Sequence, residues 1–190
     1  MKIYKIGIIG CGGIAQKMAA TLEKMKGVER YAVASRNQEK AEAFANKWGF
    51  TKAYGSYEEL ASDPEVDLIY IATPHAMHYD NAHMCIEKGK PVLCEKAFTA
   101  NARQAEDLLA FAKEKGVFIT EAIWTRYMPL SLKIQELLKE GVIGTPYTLS
   151  ANLSYPISNK ERIIRPELAG GALLDIGVYT PLIPQHFDLN

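Results

Sequence analysis

Short apolar runs rich in β-branched residues alternate with segments of helical period over the first 122 residues, the pattern of a parallel sheet with helices packed on its faces. The runs are Tyr4 to Ile9, Arg30 to Ala34, Leu68 to Ala72, Val92 to Glu95 and Val117 to Glu121, with a weaker one at Lys52 to Tyr54. Most are continuously apolar, as expected of strands buried on both sides. Between them Ala41, Phe44, Ala45 and Trp48 recur at i, i+3, i+4 and i+7, and Ala105, Leu108, Leu109 and Ala112 repeat that spacing. Both segments therefore read as amphipathic helices. Ser56, three residues before Glu59, is a capping-box pattern that starts another helix. Gly89 and Gly116 stand where glycines that end helices belong.

The rhythm changes after Ile123. Leu130, Ile134, Leu137 and Leu138 form one helical stripe that stops at Gly141, and Thr145 to Tyr155 predicts a longer strand with partly alternating polarity. The stretch ALLDIGVYTPLIPQHF predicts a helix interrupted or ended around Pro181 and Pro184. The chain thus reads as an α/β domain with a doubly wound parallel sheet over residues 1–122, followed over 123–190 by a remainder of different rhythm that belongs to a second domain.

Composition narrows the function. Hydrophobic residues make up 48% and charged residues 23%, which excludes disorder, collagen and coiled coil. The 22 Lys and Arg balance the 22 Asp and Glu without a long block of either sign, which argues against nucleic acid or a membrane surface and for a small-molecule ligand. Cys11, Cys85 and Cys94 are odd in number and contain no Cys-x-x-Cys pair, so neither a disulfide framework nor a metal site is signalled and the cytoplasm is the expected compartment. The opening MKIYKIGIIGCGGIAQ mimics a signal peptide, but its four glycines fit a strand, turn and helix better.

That turn carries the first chemistry. Gly10-Cys11-Gly12-Gly13-Ile14-Ala15 matches G-x-G-x-x-G/A directly after a strand and at the start of a helix, the setting of a dinucleotide phosphate turn. Gly10 permits the bend, Gly12 lets a pyrophosphate approach, and Ala15 lets the helix pack closely on the strand. At the end of the second strand an NAD site usually carries an acid for the ribose 2′-hydroxyl, whereas this chain has Ser35 and Arg36. A guanidinium pairs with a 2′-phosphate, so NADP is expected in preference to NAD. The competing reading leaves Arg36 as a solvated surface residue.

Ligands of open α/β sheets bind outside the carboxyl ends of the strands, which directs attention to Thr73-Pro74-His75-Ala76-Met77-His78 and to Glu95-Lys96-Ala97. His75 and His78 read more readily as positioning residues than as catalysts. Lys96 closes an apolar strand at the cleft floor, where desolvation or a neighbouring cation tunes a lysine for proton transfer. An ion pair with Glu95 is the alternative.

The segments GIIGCGGIA, IATPHAMH, PVLCEKAFTAN, EAIWTRYMP and GGALLDIGVYT, in this order, resemble the Gfo/Idh/MocA oxidoreductase family, most of all its dihydrodiol dehydrogenase and NADP-dependent D-xylose dehydrogenase branch. The resemblance implies a Rossmann domain that binds NAD(P) and a C-terminal α/β domain that covers the substrate and mediates dimerisation. It implies further that Gly10, Gly12, Gly13, Ile14, Ser35, Arg36, Thr73, Pro74, His78, Glu95 and Lys96 hold the cofactor. By the same resemblance Lys96, Asp175 and Tyr179 act in catalysis, and Trp124 and Arg126 lie near the substrate, core packing being the alternative for Trp124. Ala97 replaces the family's proline, commonly a cis one, which leaves the backbone turn there open. The implied reaction is hydride transfer between NADP and a CH–OH group of a sugar or trans-dihydrodiol, with Tyr179 as base, Lys96 favouring its phenolate, and Asp175 orienting substrate or Lys96. A complete family member is expected to extend well past residue 190, so a cofactor-binding protein without catalysis, or an inactive shortened oxidoreductase, is the rival reading. A methyltransferase using the glycine turn is a weaker one.

Overall fold

The computed structural model describes residues 2–157 and 159–179. The chain divides into two compact units, Met1–Glu121 and Ala122–Asn190.

In the first unit six strands, β1 (Tyr4–Ile9), β2 (Val28–Ala34), β3 (Lys52–Tyr54), β4 (Leu68–Ile71), β5 (Val92–Cys94) and β6 (Ile119–Glu121), form one sheet in the order β3-β2-β1-β4-β5-β6. Every pairing is parallel. The order reverses direction between β1 and β4, the switch point where a doubly wound sheet opens a crevice at its carboxyl edge. Five α-helices and a 3-10 turn at His75–Met77 complete the unit, the helices being α1 (Gly13–Leu22), α2 (Gln38–Trp48), α3 (Tyr57–Ser62), α4 (His78–Glu87) and α5 (Ala102–Lys115).

The apolar runs become the sheet because their side chains are shut from water. Ile8, Ile9, Ile69, Ile71 and Val92 are fully buried, together with Leu60, Ile86 and Leu108 from the helices. Each such side chain contributes about 1.5–3 kcal/mol by burial. Local chemistry sets the helix ends. Asn37 caps α2 by accepting from the Lys40 N–H at 2.8 Å, Ser56 caps α3 through the Glu59 N–H at 3.1 Å, and Asn101 caps α5 through the Gln104 N–H at 3.1 Å. Gly116 ends α5 with φ +65°.

A polar cluster fastens β3 and α3 to this core. The buried Asp63 carboxylate accepts from the Tyr54 hydroxyl at 2.7 Å, the Lys52 ammonium at 2.9 Å and the Glu65 N–H at 3.0 Å. Burial works against its charge, but these three donors outweigh it and hold the pKa at about 2. A depressed carboxylate pKa stabilises the fold above the unfolded value of 3.8, and that contribution is lost as pH falls through about 2. Asp63→Ala is expected to cost about 1–3 kcal/mol in urea unfolding near neutral pH. The gap from the parent should shrink in acid, and a gap that persists unchanged through that range would reject the assignment.

The second unit holds α6 (Pro129–Lys139), the four-residue α7 (Glu161–Ile164), short 3-10 turns at Trp124–Tyr127 and Pro166–Leu168, and a π-helical turn at Leu173–Gly177. The Leu130 stripe does form a helix, yet Leu130, Leu132 and Leu137 are exposed. The strand expected at Thr145 to Tyr155 is not formed: no described residue pairs with it. Alternating polarity selects a face, but only a neighbouring strand satisfies the backbone N–H and C=O groups of an extended chain. The expected break around Pro181 and Pro184 lies outside the described residues.

Candidate functional site

The carboxyl ends of β1, β2, β4 and β5 bring the first group of expected residues together. The ladder continues one step past the strands: the Gly10 N–H donates to the Ala34 carbonyl at 2.9 Å, Ala72 to Ile9 at 2.9 Å, and Glu95 to Ile71 at 3.0 Å. The loops that begin at Gly10, Thr73 and Glu95 are thereby held side by side at the switch point.

Gly10 has φ +101°, and a Cβ there would lie 2.9 Å from the Ala72 carbonyl oxygen, so the turn admits no side chain. At Gly12 a Cβ would meet nothing within 4 Å. Gly12 is also the N-cap of α1 and supplies no side-chain cap, and the first turn carries no acid. Ala15 is fully buried, which seats the helix against the sheet, while Gly13 and Ile14 face outward. Unspent N–H groups at the positive end of a helix dipole, beside open space, fit the pyrophosphate of a dinucleotide.

The end of β2 supplies a second cluster. Ser35 is buried and its Oγ accepts the Asn37 N–H at 3.3 Å, while Arg36 is exposed. Burial raises the Tyr57 phenol pKa and the neighbouring Arg36 guanidinium pulls it back. Burial likewise raises the Cys11 thiol, against the pull of Lys40 and Ser35. Ser35, Arg36, Lys40 and Tyr57 therefore surround the place where an NAD site would carry its acid. Lys40 and Tyr57 escape a reading of the chain, since no motif assigns either of them a ligand.

Between the β4 and β5 loops stands His78, fully buried, with Nδ1 2.7 Å from the Ala97 carbonyl and Nε2 2.8 Å from the Thr73 carbonyl. Burial pushes its pKa below the usual histidine range, the two carbonyls oppose this, and Lys96 adds to it. A ring enclosed in this way joins the two loops. His75 is also buried, its ring set edge-on to His78 at 5.7 Å. Thr73 accepts from Asn81 at 3.1 Å through its Oγ1, and Pro74 is half-buried. The Lys96–Ala97 peptide bond is cis.

Glu95 accepts a short hydrogen bond from Tyr70, a fully buried residue of β4 that the sequence reading missed. The signal was a hydroxyl inside an apolar run, since a buried tyrosine hydroxyl needs a partner. Burial raises the Glu95 carboxyl pKa against the opposing pull of Tyr70 and of Lys96, whose own N–H donates to Glu95 Oε2 at 3.2 Å. Lys96 itself is half-buried.

The second unit holds the remaining residues. Asp175 is buried and paired with Arg162, a partner with no motif to mark it. The Trp124 indole N–H donates to the Tyr179 hydroxyl at 3.0 Å, and the two rings meet edge to face at 6.2 Å. Residues 173–177 are π-helical, so Asp175 and Tyr179 do not share the regular helix that would align them, and each is held by a different partner. Arg126 lies exposed in the 3-10 turn.

Comparison with known proteins agrees with this geometry. A family model described as an oxidoreductase family with an NAD-binding Rossmann fold matches residues 4–122, and a second, the GFO/IDH/MocA C-terminal domain, matches residues 131–181. D-xylose 1-dehydrogenase (NADP(+)) of Hypocrea jecorina is 44% identical over 92% of the chain and 50% of its own length. Human trans-1,2-dihydrobenzene-1,2-diol dehydrogenase is 39% identical over 91% of the chain and 52% of its own length. A 3-ketoreductase from Actinomadura kijaniata, solved in complex with NADP, superposes with a TM-score of 0.85 at 31% identity, covering 98% of this chain and 56% of that one. The chain spans about half the length of the curated relatives it matches.

Proposed function

The chain belongs to the Gfo/Idh/MocA oxidoreductase family, and from that premise we propose that it transfers a hydride reversibly between NADP and a CH–OH group of a sugar or a trans-dihydrodiol. The observation that carries this reading is the glycine turn at the switch point, where the α1 N-terminus is free of any side-chain cap and faces open space at Gly12. Gly10, Gly12, Gly13 and Ile14 would receive the pyrophosphate, and Ser35, Arg36 and Lys40 the adenosine 2′-phosphate. Thr73, Pro74, Glu95 and Lys96 would bound the nicotinamide end, with His78 holding their loops together.

NADP supplies the hydride acceptor when bound. The chain's own task is to remove the hydroxyl proton as the carbon loses its hydrogen with both bonding electrons. Tyr179 is the assigned base, Lys96 binds the substrate oxygen or the ribose, and Asp175, paired with Arg162, orients the substrate. Trp124 and Arg126 border the substrate. The relatives named above support the substrate class, one acting on D-xylose with NADP and one on a trans-dihydrodiol. The three free thiols Cys11, Cys85 and Cys94 support a cytoplasmic, reducing setting. Among the described residues no helix is long and apolar enough to cross a membrane. The working form is a homodimer, as the family implies.

The test is to incubate the protein with NADP and a panel of pentoses, hexoses and trans-dihydrodiols and to follow the absorbance of the reduced nicotinamide. Substrate-dependent reduction is expected. Tight NADP binding without reduction by any member of the panel would favour the non-catalytic cofactor binder instead.

A further inference from the structure

A phenol that serves as a base must release its own proton easily and must point its oxygen at the proton it will take. Its oxygen has one O–H donor and two acceptor positions. In this chain one acceptor position at Tyr179 is occupied by the Trp124 indole N–H at 3.0 Å. Indole nitrogen only donates, so the Tyr179 hydroxyl is the acceptor of this bond and its own proton is directed elsewhere. A donor aimed at an oxygen stabilises the ionised form more than the neutral one.

The surroundings of Trp124 fit such a role better than packing does. The ring is 57% exposed, although tryptophan is usually well buried on average. It is presented by a 3-10 turn at Trp124–Tyr127 that follows the buried Ile123, with the Arg126 N–H bonded to the Ile123 carbonyl at 3.1 Å. The edge-to-face contact with Tyr179 fixes the tilt of one ring against the other. The nearest acidic residue in sequence, Asp175, would oppose a phenolate by like charge, but its carboxylate is neutralised by Arg162.

From this juxtaposition we propose that Trp124 is a positioning residue for proton transfer, its indole N–H holding the Tyr179 oxygen in place and favouring the phenolate that accepts the substrate's hydroxyl proton. The substrate's hydroxyl proton would pass to the Tyr179 oxygen while the carbinol hydrogen leaves with its electron pair, for which NADP in its oxidised form would supply the acceptor, so charge and atoms balance. The proposal rests on Tyr179 being the base of the reaction described above.

The test reads Tyr179 directly. The chain has two tryptophans, and Trp48 carries a buried indole nitrogen with no hydrogen-bond partner among the described residues, so Trp48→Phe sacrifices no hydrogen bond and leaves Trp124 as the sole tryptophan, excited selectively over tyrosine at the red edge of absorption. A phenolate in contact with indole quenches its fluorescence. In Trp48→Phe the emission is expected to fall as pH rises, with a midpoint about one unit below the ordinary tyrosine value near 10. Adding Tyr179→Phe should abolish that step. In the parent chain Trp124→Phe should raise the acidic limb of the kcat profile by about one unit and lower kcat near neutrality about tenfold, with KM for NADP unchanged.

An emission step that survives Tyr179→Phe, a midpoint at the ordinary tyrosine value, or a pH profile unmoved by Trp124→Phe would overturn the proposal. Undiminished turnover in Tyr179→Phe would instead overturn the assignment of the base. The fluorescence titration would still decide whether Trp124 governs Tyr179.

Discussion

Tyr179→Phe is expected to lower kcat by about 10²–10⁴-fold, the usual contribution of a positioned general acid–base group. The substitution removes one oxygen and keeps the ring, so the edge-to-face packing on Trp124 persists and the local fold should survive. Without that oxygen the hydroxyl proton of the substrate has no acceptor at the moment the hydride departs. Binding of NADP should be spared, because the groups assigned to the cofactor lie on the first unit at the carboxyl ends of β1, β2, β4 and β5. Steady-state kinetics together with titration of NADPH fluorescence separates the two effects. Turnover equal to the parent's would reject the role given to Tyr179. A parallel loss of cofactor affinity would show that the residue shapes the binding site instead.

Arg36→Ala should weaken NADP by about 100-fold and NAD by far less. A guanidinium on a phosphate makes charge-assisted, frequently bidentate bonds of about 1.5–3 kcal/mol each, and each 1.4 kcal/mol is about tenfold in affinity. NAD has no 2′-phosphate, so the same substitution removes from it only stacking against the guanidinium plane. Lys40 and Ser35 remain, which keeps some preference for the phosphorylated cofactor. Dissociation constants for both cofactors, measured at one ionic strength because exposed charges are screened by salt, give the ratio. Equal losses for NADP and NAD would remove the 2′-phosphate from the account of Arg36.

Much of the first unit was legible along the chain. Buried parallel strands print as apolar runs, so Tyr4–Ile9 and Lys52–Tyr54 were read at their observed bounds and the other strands to within two residues. The capping Ser56 and the terminal Gly116 were legible for the same local reason: each acts on backbone only a few residues away. Thr145 to Tyr155 shows the limit. Its alternation is real, but a strand is a relation between two segments, and no described segment pairs with it.

The candidate site divides along the same line. The glycine turn could be read directly, since the strand-turn-helix pattern around Gly10 implies its backbone angle, while the close approach of the Ala72 carbonyl is visible only in the fold. His78 could be placed beside the cleft and read as a positioning residue, but only the fold showed the Thr73 and Ala97 carbonyls closing around its ring.

By itself, then, the sequence determined the doubly wound sheet, the phosphate turn and the residue types at the strand ends, because backbone conformation and apolar burial are set by short-range patterns. Tertiary structure alone decided which polar groups meet. Tyr70 reaches Glu95 across 25 residues and Trp124 reaches Tyr179 across 55, and Arg162 meets Asp175 through a loop that no periodicity describes. A hydrogen bond depends on angstrom-scale distance and angle between two side chains, and those are fixed only when the segments carrying them have packed.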